Sequence, residues 1–300
     1  MTTRIKNFWK TIKASGVEFG RHDGKKLSAS LAFFTIFSLG PMMMVIIFVS
    51  NLFFGRQAIE GTLQSQLSGL IGDGAALQIQ STIKNAAIHG SGFIAILSSV
   101  VLIIAATTVF NEIQSSINII WNLKVKSGRG WRHMLKKRLL AFVLVIGLGV
   151  LLLISLLLNG LLEGFKNKLQ ELFPDISFLL VYAGNILITG FIVASLFAII
   201  YKVMPYAFVR WRYAIAGAIF TSLLFMVSKF CITIYINNSD ISNTYSTTGS
   251  LVVLLLWIFT SSLVLYFGAA LTKVYATNNG AKIKPDKNAV IITRIENECT

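Results

Sequence analysis

Residues 27 to 54 contain no charged side chain. A helix needs roughly 20 predominantly apolar residues to cross the hydrocarbon of a bilayer, so this run is long enough to span one. Similar apolar windows recur at residues 92–111, 139–161, 178–201, 214–236 and 250–272. With 55% hydrophobic residues in 300, the chain has more apolar surface than a soluble core of ordinary proportions can hide. These windows predict an all-α, polytopic membrane helix bundle of about six transmembrane helices. A β-barrel would alternate apolar and polar residues along each strand, whereas residues 139–158 are almost continuously apolar.

The formal charge of +15 raises nucleic acid as a partner, but its placement follows the spans. Arg4, Lys6, Lys10, Lys13, Arg21, Lys25 and Lys26 precede the first span, against Glu18 and Asp23. Lys124, Lys126, Arg129, Arg132, Lys136, Lys137 and Arg138 lie between the second and third spans without an acid. Lys202, Arg210 and Arg212 lie between the fourth and fifth, also without one. The alternate loops are neutral or slightly acidic. By the positive-inside rule, both termini are expected in the cytoplasm, with anionic lipid headgroups rather than nucleic acid as partners.

The chain divides into a cytoplasmic amphipathic segment (1–26), a membrane domain (27–276) and a tail read as flexible (277–300). The first segment carries no cleavable-signal pattern. Ile5, Phe8, Trp9 and Ile12 fall at helical spacing, which suits either a helix on the inner leaflet or one packed on the bundle. Within the membrane domain, residues 55–90 read as two short amphipathic helices around Gly72 and Gly74, a small extracytoplasmic cap between the first two spans.

Catalytic signatures are weak. His22, His89 and His133 fall on both sides of the predicted membrane and cannot share a metal; Cys231 and Cys299 imply no disulfide framework. No catalytic residue, metal site or cofactor is expected, and the chain is read as a non-enzyme. The candidates for function are polar groups at membrane depth. Asn111, Ser115, Asn118 and Asn122 repeat at three and four, forming one stripe, with Glu112 and Ser116 beside it. Such a stripe either glues helices by hydrogen bonds or faces a wet cavity. Lys229 in the fifth span is the other charge in the hydrocarbon, too far in depth to bridge Glu112 directly. Pro41 is expected to kink the first span. Small residues at fourfold spacing predict packing seams: Gly190, Ala194 and Ala198; Ala214, Ala218 and Ser222; Gly268, Thr272 and Ala276.

Several stretches also resemble a known family, in order along the chain: residues 22–41 (HDGKKLSASLAFFTIFSLGP), 107–121 (TTVFNEIQSSINIIW), 201–205 (YKVMP), 211–220 (WRYAIAGAIF) and 249–272 (GSLVVLLLWIFTSSLVLYFGAALT). Together they resemble the YihY/virulence factor BrkB family of bacterial inner-membrane proteins. The resemblance implies six membrane helices and a plasma-membrane location. Where that family usually reads Gly-Ala-Glu, this chain has Gly268, Ala269 and Ala270, and Thr248-Gly249 replaces the usual Tyr-Gly. Members once carried the label ribonuclease BN, but the acid-poor cytoplasmic loops lack the ligands a metal-dependent nuclease needs. The function expected is transport or lipid handling, with a non-transporting envelope scaffold or surface-resistance factor as the alternative.

Overall fold

The computed structural model describes residues 2–53, 92–126, 177–238, 249–286 and 289–292. The expected cap at 55–90, the third span, the basic loop from 127, His89, His133 and Cys299 lie outside the described residues. Six helices appear among those described: α1 (Thr2–Arg21), α2 (Gly24–Phe53), α3 (Gly92–Ile120), α4 (Ser177–Val203), α5 (Trp211–Asn238) and α6 (Gly249–Asn278). The all-α expectation holds with one small addition. Strands β1 (Leu123–Val125) and β2 (Ala289–Ile291) pair antiparallel, Lys124 opposite Val290.

The helices α4, α5 and α6 contain segments long and apolar enough to cross a membrane, Ile186–Val203, Trp211–Tyr235 and Val252–Asn278. Half of the α6 segment is buried against 22% of that in α4, so α6 is the more enclosed. α2 and α3 have 30 and 29 residues, which at 1.5 Å per residue is about 45 Å and exceeds a hydrocarbon core of about 30 Å. Pro41 falls inside α2.

The chain forms two compact units. The first comprises residues 1–19, 117–226 and 267–300; the second comprises 20–116 and 227–266.

In the first unit, close approach of α5 and α6 depends on two glycines. A Cβ at Gly217 would overlap the Thr272 hydroxyl and come within 3.3 Å of the Thr272 backbone; one at Gly268 would overlap the hydroxyls of Thr221 and Tyr201. Each threonine turns its own hydroxyl back onto the glycine carbonyl one turn earlier, Thr221 to Gly217 and Thr272 to Gly268, both at 2.7 Å. The pairing of 217 with 272 and 221 with 268 makes the helices antiparallel. Small residues that let backbones meet are the usual basis of membrane helix packing. The predicted seam of Gly268, Thr272 and Ala276 is buried, as are Ala214, Ala218 and Ser222. The Gly217–Thr221 notch that receives α6 lies next to that predicted α5 row.

The connector after α4 is held by polar contacts. Pro205 follows the helix end, and the Lys202 ammonium donates to the Val209 carbonyl while standing 5.7 Å from the Trp211 ring centroid. Of the segment from 277, residues 277 and 278 end α6, and described residues further on make backbone pairings. Ala207 bridges Pro285, Phe208 N–H donates to Lys284 at 2.9 Å, and Ile292 N–H donates to Asn122 at 2.9 Å. Backbone groups left open by the connector and by the end of α3 explain this order, since each takes a partner there.

In the second unit, Ala32, Leu254 and Ile258 form a buried cluster with Ile36, Trp257 and Phe259 packed against it. The outward faces are apolar: Phe33, Phe37, Val100, Ile104 and Phe230 are all at least half exposed.

Candidate functional site

Helix α3 carries the predicted stripe, and its residues have separate fates. Asn118 is buried, and its side-chain oxygen accepts the Tyr206 N–H at 2.8 Å. That bond holds the chain just after Pro205. Asn122 adopts a left-handed conformation, φ 56°, at the end of α3. Asparagine tolerates that geometry better than most residues, which explains its place at a helix terminus. Asn111 and Ser115 are exposed, and Glu112 is half-buried beside them. They continue the face that begins with exposed Val100 and Ile104, so one side of α3 changes from apolar to polar along its length.

On either flank of that exposed face α3 buries Gln114 and Ser116, the latter one turn from Glu112. Tyr266 of α6, fully buried, stands beside Ser116 and within electrostatic reach of Glu112, though the two hydroxyls do not meet hydrogen-bond geometry. These three residues belong to the second unit. Lys229, in the same unit, is half-buried, and its carbonyl accepts the Thr233 hydroxyl at 2.9 Å.

A charged contact missing from the sequence reading lies in the first unit. Lys273, 8% exposed, pairs with Glu18 of α1 and donates to the Ile120 carbonyl at 2.7 Å. Ile120 ends α3, where unpaired carbonyls and the helix dipole both favour a cation. α1 therefore packs through its polar side: Ser15 is buried, Asn278 donates to Thr11 at 3.4 Å, and Phe19 meets Phe267 edge to face. Trp9 is 66% exposed, leaving part of the apolar face free of protein. The one available signal for Lys273 was a lone cation at the end of a span.

Large apolar side chains point outward from the first unit as well, including Leu187, Phe191, Ile219 and Leu223, while Thr221, Ser222, Thr272 and Lys273 are inside. That inversion, on helices of spanning length, defines an all-helical integral membrane protein. Residues 16–292 match the family model described as virulence factor BrkB, and the chain belongs to that family. The UPF0761 membrane protein of Verminephrobacter eiseniae is 29% identical over 279 residues, covering 88% of this chain and 62% of the relative. Those of Chromobacterium violaceum and Pseudoalteromonas atlantica are 27% and 25% identical, covering 82% and 85% of this chain and 57% and 82% of the relative. The chain thus spans about three-fifths of the length of the first two relatives. No solved structure matches it. Ala270, where the family usually has glutamate, is fully buried.

Proposed function

We propose that this membrane protein moves or handles a small solute or lipid along a wet path beside α3, and is not an enzyme. The observation that carries the reading is the exposure of Asn111 and Ser115 next to half-buried Glu112 on an otherwise apolar helix. Carboxamide and carboxylate groups facing lipid lose their hydrogen bonds to water, a loss of roughly 2 kcal/mol or more each, so an exposed cluster of them fits a hydrated surface. Asn118 and Asn122, engaged in holding chain geometry, stand outside the path. Lys229 is kept as a candidate for its far end.

Topology supports the same picture. The pairings of 122 with 292 and of 207 with 285 gather the ends of α3, α4 and α6, and Glu18 with Lys273 adds α1. We place all of these at the cytoplasmic face, where the basic loops and exposed Trp9, Phe208 and Trp211 meet anionic headgroups. If α3 and α4 both end on that face, the chain has to cross once more between them. This yields six spans, with the apolar window at 139–161 as the third.

Single cysteines in an otherwise cysteine-free chain, probed in membranes with a water-soluble thiol reagent, test the path. Positions 111 and 115 should react, position 118 should be protected by burial, and lipid-facing 104 and 223 should be protected. Protection at 111 and 115 would favour the scaffold reading, with α3 serving as helix glue.

A further inference from the structure

Hydroxyls in these membrane helices follow a common habit, and Ser116 breaks it. Thr108, Ser261, Ser262 and Thr272 each donate to the carbonyl four residues earlier, at 2.7 to 2.9 Å. That local bond satisfies a hydroxyl with no tertiary partner. Ser116 is 1% exposed, yet its oxygen has no partner among the described residues; Tyr266, 0% exposed, also leaves its hydroxyl without one. A buried unsatisfied polar group costs about 1–3 kcal/mol, so two side by side call for a ligand. Glu112 lies one helical turn from Ser116, which places the Cβ atoms about 5–6 Å apart on one face of α3.

We propose that Glu112, Ser116 and Tyr266 bind one small monovalent cation within the second unit. Three oxygens, one of them anionic, form a hard-ligand set suited to an alkali cation. The charge balance selects the valence. One carboxylate neutralises one positive charge, whereas a divalent ion would leave an excess charge in a medium that solvates it poorly. Ser116 and Tyr266 each offer hydroxyl lone pairs to the ion. The site rests on the reading of α3 as water-accessible, because the ion has to reach Glu112 from solution.

The probe is sodium. Full-length protein in detergent is dialysed against radioactive sodium with choline balancing ionic strength, and its unfolding midpoint is followed across the same series. About one sodium per chain should bind saturably and raise the midpoint. Glu112→Gln should abolish both effects, while Ser116→Ala and Tyr266→Phe, which retain the packing, should weaken binding at least about tenfold. Absence of saturable sodium binding, or binding unchanged by all three substitutions, overturns the site. Thiol labelling of Asn111→Cys in the same preparation separates the two readings. A labelled protein that binds no sodium overturns the cation site and leaves the path; sodium binding with no labelling does the reverse; failure of both removes both.

Discussion

Lys273 shows how one side chain can tie three helices. Its ammonium has three donors, of which Glu18 and the Ile120 carbonyl take two, in a setting where the pair's side chains are 10% and 15% exposed. Removing one partner from such a pair strands the other charge, a loss of about 3–5 kcal/mol, whereas replacing both with apolar groups is often near neutral. Lys273→Met should therefore lower the unfolding midpoint in detergent strongly, and adding Glu18→Met should restore much of it. Equal destabilisation by the single and double variants would show that the ion pair is not what joins α1 to the bundle. The pair escapes sequence reasoning for a physical reason: its members are 255 positions apart, and charge patterning reports only near neighbours. Glu112 and Lys229 were legible because an ionisable group inside an apolar window announces itself.

The elements differ in how well the sequence reveals them. Length and scarcity of charge expose α2, α4, α5 and α6 directly, Lys229 being the one charge inside the fifth window. The interior of α3 was half visible. Periodicity places Asn111, Ser115, Asn118 and Asn122 on one stripe, but only packing decides that Asn118 is covered by the connector while Asn111 stays open. Pairing of residues 284–286 and 289–292 was invisible, because three-residue strands and single bridges leave no pattern. The α5–α6 notch makes a sharp prediction. Gly217→Ala and Gly268→Ala each force a methyl into a threonine and should destabilise by about 1–3 kcal/mol. Gly16→Ala and Gly20→Ala in α1 meet nothing within 4 Å and should be neutral or stabilising by up to about 1 kcal/mol. Thermal unfolding of the four variants, compared with the parent, checks the contrast; equal effects would mean that helix propensity outweighs the notch.

For the whole molecule, the gathered helix ends turn a charge rule into a geometric constraint. Residues 122 and 292, 207 and 285, and 18 and 273 are in contact, so each pair has to lie on one side of any membrane the chain crosses. Continuity of α4, α5 and α6 then fixes their directions, and the topology proposed above requires one more crossing between α3 and α4. Reporter fusions read this most directly. Fusions at residues 130 and 208 and after Thr277 should report the cytoplasm, and those at 73 and 170 the exterior; residues 208 and 278 on opposite faces, or 130 and 170 on the same one, would contradict the account.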